Sequence, residues 1–140
     1  MFLRLLGVSQ LMKIFEGYKD VESSEAWVGS AVIYGPMHEF GTSAIPARPH
    51  WRPAVEEVGA QIGSDQGLQG KVMDGLASYG SGWASFEVAL MVERRVKEII
   101  AAKGIFDTGN YRGSVATGQS QGGAFSRSAS LAIDPDSVAK

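Results

Sequence analysis

Residues 83–103 read Trp83-Ala84-Ser85-Phe86-Glu87-Val88-Ala89-Leu90-Met91-Val92-Glu93-Arg94-Arg95-Val96-Lys97-Glu98-Ile99-Ile100-Ala101-Ala102-Lys103. Val88, Val92, Val96 and Ile99, flanked by Ala89 and Ile100, recur at helical spacing and form one apolar stripe. Glu93, Arg94, Lys97 and Glu98 fall on the other side, with Glu93 and Lys97 at the i,i+4 spacing that favours an ion pair. Lys103-Gly104 is a stop signal, a cation in the last turn before a residue free to turn left-handed. A helix this long with one apolar face needs a sheet or a second helix to bury it, and the flanking sequence supplies both.

Upstream, Leu68, Val72, Leu76 and Tyr79 at i, i+4, i+8 and i+11 predict a second helix, which Gly80-Ser81-Gly82 ends. Pro53 suits the first turn of a third, followed by Glu56 and Glu57 near the positive end of its dipole and by an apolar stripe of Val55, Val58 and Ile62. Residues 41–53 hold Pro46, Pro49 and Pro53, which push the residues before them toward extended geometry, so a stiff connector is expected there. Glu25-Ala26-Trp27-Val28-Gly29-Ser30-Ala31-Val32-Ile33-Tyr34 reads as a strand ended by Gly35-Pro36, and residues 11–18 as an earlier strand or a short helix. Asp107-Thr108-Gly109-Asn110 reads as a turn. Residues 114–117 and 125–133 read as two strands joined by a loose hairpin loop at 118–123, and the end from 134 to 140 as frayed. The expected fold is α+β: one domain over 1–140, with a small antiparallel sheet of N-terminal strands and a C-terminal hairpin and two to three helices on one face.

Composition narrows the function classes. The 140 residues carry 13 basic and 15 acidic side chains, spread evenly, for a net charge of -2; the sequence pI is about 5.7, whereas a domain built to hold a phosphate backbone usually exceeds a pI of about 9. The absence of cysteine removes disulfides, thiolate metal sites and cysteine nucleophiles. No apolar run reaches the roughly 18 residues of a membrane helix, and Met1–Leu6 is too short and too interrupted by Arg4 for a signal peptide. Glycine, 18 of 140 residues, is close to twice its usual share of roughly 7% and points to turns and close approaches of the backbone.

Catalytic patterns are incomplete. His38-Glu39 matches the first half of a zinc-protease HExxH motif, but Thr42 stands where the second ligand belongs and the other histidine, His50, comes twelve residues on. Gly75 to Gly80 lacks the lysine and the preceding strand of a phosphate loop, and no serine sits in a G-x-S-x-G turn. Glu56 and Glu57, adjacent on a helix, diverge and make no carboxylate dyad. Arg94, Arg95 and Lys97 are interspersed with glutamates, and Trp27, Trp51 and Trp83 are not interleaved with a basic patch. The expectation is no enzyme, no cofactor and no metal, with a metal-dependent hydrolase using His38 and Glu39 as a rival. What stands out is a stiff segment bearing Arg48, Trp51 and Arg52, residue types enriched at binding hot spots. Glu39 is a candidate to accept a bidentate bond from Arg48 or Arg52, within the subunit or across to a neighbour.

His38-Glu39-Phe40-Gly41-Thr42, then Ile45-Pro46-Ala47-Arg48-Pro49-His50-Trp51-Arg52-Pro53-Ala54, resembles the signature of tailed-bacteriophage neck and tail-completion proteins, whose usual form is a strand ending in H-E-F-G-T and a loop leading through I-P-A-R-P-F-L-R-P-A into a helix. Asp107-Thr108-Gly109-Asn110-Tyr111-Arg112-Gly113-Ser114-Val115 is similar to the second signature of that family, D-T-G-x-L-R-x-S-I. His50-Trp51, Tyr111 and Val115 depart from the usual residues, and the order of the two motifs is that of one branch of the family. The resemblance implies a structural virion protein in a homo-oligomeric, commonly hexameric ring between head connector and tail tube. DNA passes through its lumen, its partners are neighbouring neck and tail proteins, and it is assembled in the host bacterial cytoplasm. It makes Glu39, Phe40, Arg48, Trp51, Arg52, Asp107, Tyr111 and Arg112 motif framework or ring interface. A phage-encoded soluble binding module is the alternative.

Overall fold

The computed structural model of the protein describes residues 2–6, 25–105, 109–132 and 135–138. Three strands, β1 (Phe2–Leu6), β2 (Glu25–Gly29) and β3 (Ala116–Gly118), form an antiparallel sheet in that order. Among the described residues six α-helices accompany them: α1 (Gly35–Phe40), α2 (Trp51–Ser64), α3 (Gln66–Tyr79), α4 (Ser81–Lys103), α5 (Asn110–Ser114) and α6 (Gln121–Leu131). The class is α+β, with more helix than the sequence led us to expect.

Register decides which side chain faces which layer. Leu3 pairs with Val28 and Val28 with Thr117, so these three share one face, joined by Ala26 two residues along β2. That face meets α4: Ala26 and Val28 are buried in one cluster with Ala89, Val92, Val96, Ile99 and Ile100, and Leu3 packs against it. Phe2, Gly29 and Ala116 point the other way, where Phe125 of α6 approaches Phe2 with ring centroids 6.0 Å apart. Helices therefore cover both faces of the sheet. The expectation of helices on one face is corrected.

The predicted C-terminal strand is that second cover. Residues 121–131 are helical: the Ser120 side chain accepts from the Gly123 N–H at 3.0 Å as an N-cap, and Ala124 and Ser128, at i and i+4, are the buried positions. Small residues there let the helix lie against β3, where a Cβ on Gly118 would stand 2.6 Å from the Ala124 nitrogen. Residues 118–123 thus lead from β3 into a capped first turn and are no hairpin loop. Residues 135–138 are tied down as well: Val138 bridges Val32, and Ile33 N–H donates to the Ser137 carbonyl at 2.8 Å. These contacts are made within the 134–140 end that the sequence reads as frayed. The segment 11–18 lies outside the described residues.

The helical layer follows the sequence closely. Trp51, Ala54, Val58 and Ile62 are the buried stripe of α2, and Val55 faces out because it falls off that arc. The Asp65 side chain caps α3 by accepting from the Leu68 N–H at 3.1 Å. α3 buries Val72 and Leu76 and brings Gly75 against the Trp83 ring of α4, where a Cβ would meet the ring at 1.8 Å. Gly104 closes α4 in the left-handed region. Among the described residues the expected Glu93–Lys97 pair is absent, and Glu93 instead accepts from Thr117 Oγ1 at 3.4 Å.

Candidate functional site

The strand expected over 25–34 ends at Gly29. A turn through Tyr34 leads into α1, with Pro36 in its first turn, so the residues of H-E-F-G-T form a short helix and its exit. Gly41 leaves α1 at φ +76, and a Cβ there would lie 2.7 Å from the Ala47 nitrogen, so only glycine fits the return of the chain. Residues 42–50 then run back without helix, held by hydrogen bonds from Thr42 N–H to the Ile45 carbonyl and from Arg48 N–H to the His38 carbonyl at 2.6 Å.

This return brings Glu39 under the start of α2. Its buried carboxylate accepts from the backbone N–H of His50 at 2.7 Å, of Trp51 at 3.0 Å and of Arg52 at 3.2 Å. Such groups have no partner within their own helix, and the positive end of the dipole favours an anion. Glu39 is thus a helix cap delivered from eleven residues upstream. Within the subunit no arginine side chain makes the expected bidentate bond to Glu39: Arg52 contributes its backbone, while its guanidinium reaches Glu56 at 3.1 Å in solvent.

Tyr111, the first buried aromatic of α5, completes the cluster. Its hydroxyl accepts from Trp51 Nε1–H at 2.9 Å and lies 2.6 Å from His50 Nε2. His50 Nδ1 faces two acceptors, the Arg48 carbonyl at 2.8 Å and Glu39 Oε2 at 3.1 Å. The proton of a neutral His50 therefore sits on Nδ1, and Nε2 accepts from the Tyr111 O–H. Every donor in the chain Trp51, Tyr111, His50 then has one acceptor. Burial pushes the His50 pKa below its usual value, against the raising effects of the Arg48 carbonyl and Glu39. Burial likewise pushes the Tyr111 phenol well above its usual value, so both rings are neutral near pH 7. Around them Tyr34 stacks edge-on to Tyr111 at 5.8 Å, and Asn110 Nδ2 donates to Tyr34 Oη at 3.0 Å and Ser137 Oγ at 2.9 Å. Lys103 Nζ, from the end of α4, holds the Pro49 carbonyl at 2.6 Å.

The two sequence motifs thus meet in one buried polar junction. No family model, curated protein or solved structure matches the chain.

The predicted site residues divide into two groups. Glu39, Trp51 and Tyr111 are interior and hold the junction; Phe40, Arg48, Arg52 and Arg112 are exposed. Asp107 lies outside the described residues. His50, which the sequence reading treats as a distant second histidine and as a departure from the motif's usual residue, is fully buried and central. Among the described residues no three side chains of His, Cys, Asp or Glu cluster closely enough to hold a metal ion, and no helix is long and apolar enough to cross a membrane. Between α2 and α4, Arg95 is hydrogen-bonded to Glu57 and, at 2.9 Å, to Glu98, and its guanidinium holds the Glu57 carboxyl below its usual pKa.

Proposed function

We propose that this chain is a structural ring subunit at the neck, or at the head-proximal end of the tail, of a tailed bacteriophage, joining head connector to tail tube around the DNA channel. The observation that carries the reading is the convergence of the H-E-F-G-T and I-P-A-R-P-type segment with the D-T-G-type segment on a single cluster, through Glu39, His50, Trp51 and Tyr111. Motifs that resemble one family and lie about 60 residues apart behave as one structural unit here. The carboxylate a hydrolase would need is occupied by three backbone N–H groups, a holding role, not an acid–base one.

What the junction presents outward also supports an assembly role. Phe40 is 72% exposed beside the buried Glu39, and the exposed Arg48 and Arg52 are carried on backbone bonded to His38 and Glu39. Side chains on a pre-organised base lose little entropy when a neighbour docks. A net charge of -2 suits a lumen through which DNA slides, since each phosphate-neutralising cation strengthens salt-dependent binding. A hexameric ring, virion residence and neighbouring neck and tail proteins as partners belong to the same proposal. Electron microscopy of purified virions carrying a labelled copy tests it. Label at the neck or the head-proximal tail end is expected, and its absence from both places overturns the reading.

A further inference from the structure

We propose that His50 is a proton-operated latch: when its ring takes up a second proton, α5 lets go of the start of α2 and swings out about its Ser114 end. The latch belongs to the chain itself and does not depend on a place in a virion.

The count of protons at one oxygen decides the matter. With a neutral His50, the Tyr111 hydroxyl accepts from Trp51 Nε1–H at 2.9 Å and donates to His50 Nε2 at 2.6 Å. A doubly protonated ring has no acceptor left, since both nitrogens then donate. Nδ1–H keeps its partners, the Arg48 carbonyl at 2.8 Å and Glu39 Oε2 at 3.1 Å. Nε2–H instead points at an oxygen that holds its own proton and already takes the indole N–H. That oxygen can accept both N–H groups only by turning its O–H elsewhere, and its two polar contacts among the described residues are those same nitrogens. Tyr111 is 1% exposed, so the closed junction leaves a buried O–H without an acceptor.

The surrounding groups do not remove the conflict. From α1, Glu39 favours the charged ring and His38 opposes it; Lys103, at the end of α4, opposes it as well. The return before α2 contributes the Arg48 carbonyl, which favours it, and α5 contributes Tyr111, a neutral phenol. Burial outweighs the favourable groups and holds the closed ring below its ordinary pKa. An opened ring in water returns to about 6.5. Opening is therefore coupled to proton uptake and grows as pH falls through about 6.5.

The backbone beside Tyr111 suits a swing. α5 is five residues long and is entered through Gly109 at φ +77, where a left-handed joint costs glycine little. At its other end Ser114 Oγ lies 2.6 Å from Ser30 Oγ, and β3 starts at Ala116. Gly35 of α1 lies against the Tyr111 ring, where a Cβ would stand 2.9 Å away, so the ring has no room to shift toward α1. Movement outward lets water reach both His50 Nε2–H and the phenol. Glu39 keeps α2 capped throughout, because the three N–H groups it binds are independent of Tyr111.

Amide hydrogen exchange of the full chain, resolved by NMR and corrected for the intrinsic rate at each pH, measures the opening. Gly113 N–H, bonded to the Gly109 carbonyl at 2.9 Å, reports α5; Trp51 N–H on Glu39 reports the cap, and buried Val96 the core. One coupled proton raises opening by up to about tenfold per pH unit. About tenfold more opening is expected at Gly113 near pH 5 than near pH 7.5, with Trp51 and Val96 unchanged. His38→Gln should keep that rise, and His50→Gln, which cannot take the proton, should abolish it. A flat response at Gly113, an equal rise at Trp51 or Val96, or a rise that survives His50→Gln overturns the latch. Should His50→Gln fail to fold, ring-nitrogen NMR of the parent chain decides. A His50 midpoint that coincides with the opening midpoint is expected; a charged His50 with Gly113 still closed, or opening with His50 still neutral, overturns the latch.

Discussion

His50 Nε2 lies 2.6 Å from the Tyr111 hydroxyl, across 61 residues of sequence, and each group is the other's buried hydrogen-bond partner. The contact joins the start of α2 to α5, and the same hydroxyl takes the Trp51 indole N–H. One phenol oxygen therefore satisfies two rings, and its loss is felt twice.

Tyr111→Phe keeps the ring packed against Tyr34 and removes only that oxygen. It leaves Trp51 Nε1–H without an acceptor and His50 Nε2 without a donor, in a region closed to water. Each orphaned buried group costs about 1–3 kcal/mol, so a loss of about 2–6 kcal/mol is expected. Urea unfolding monitored by tryptophan fluorescence reads it as a lower midpoint at an unchanged slope. Phe40→Ala, at a side chain that is 72% exposed, should stay within about 0.5 kcal/mol of the parent.

Glu39→Gln tests the remote cap. The amide retains one acceptor oxygen but loses the negative charge that faces three N–H groups at the helix N-terminus. A loss of about 1–2 kcal/mol is expected, rising with Glu39→Ala. Amide hydrogen exchange should quicken at His50, Trp51 and Arg52 before it changes at Val96. Equal exchange at those three amides would show that the carboxylate does not hold them.

The junction sets a pH window for stability. The folded His50 pKa lies below the unfolded value of about 6.5, so the unfolded chain binds the extra proton first as pH falls. Its stabilisation is full above about pH 6.5 and is lost as pH drops through the folded pKa. Tyr111 works in the opposite sense: with its folded pKa raised, its contribution is full below the unfolded value of about 10 and is lost as pH climbs beyond it. Thermal unfolding should give a plateau near pH 7–9 with falling Tm on both sides. Tyr111→Phe should remove the alkaline limb, and a limb that persists would place its origin elsewhere.

Two glycines of α3 should respond in opposite directions. Gly70 has open space where a Cβ would go, so Gly70→Ala should stabilise the helix by about 0.5–1 kcal/mol. Gly75→Ala would drive a methyl into the Trp83 ring at 1.8 Å and should destabilise the α3–α4 pair by about 1–3 kcal/mol. Calorimetric Tm values of the two variants on either side of the parent would confirm the packing; two increases would refute it.

Much of the helical layer was legible because its signals are local. α4 declares itself through a period of apolar residues and a glycine stop, α3 through the same period, and the non-helical run 41–50 through its prolines. Phe125, Ala129, Leu131 and Ile133 fit alternation and so predict a strand where α6 stands. The side chains that α6 buries, Ala124 and Ser128, are too small and too polar to register as an apolar stripe. Their value lies in how closely they let the helix approach Gly118, a property of the pair and not of either segment.

The junction divides in the same way. The sequence by itself determined an α+β chain with an amphipathic long helix, a stiff proline-bounded return, and two motif segments, because periodicity, capping chemistry and proline geometry act over a few residues. Only the tertiary structure decided that Glu39 meets backbone N–H groups and not an arginine side chain, that Tyr111 answers His50 and Trp51, and that helices cover both faces of the sheet. Those outcomes come from burial. Once the chain closes, each N–H, hydroxyl and ring nitrogen cut off from water must find a partner, and the partner is set by what lies near in space, however far it is along the chain.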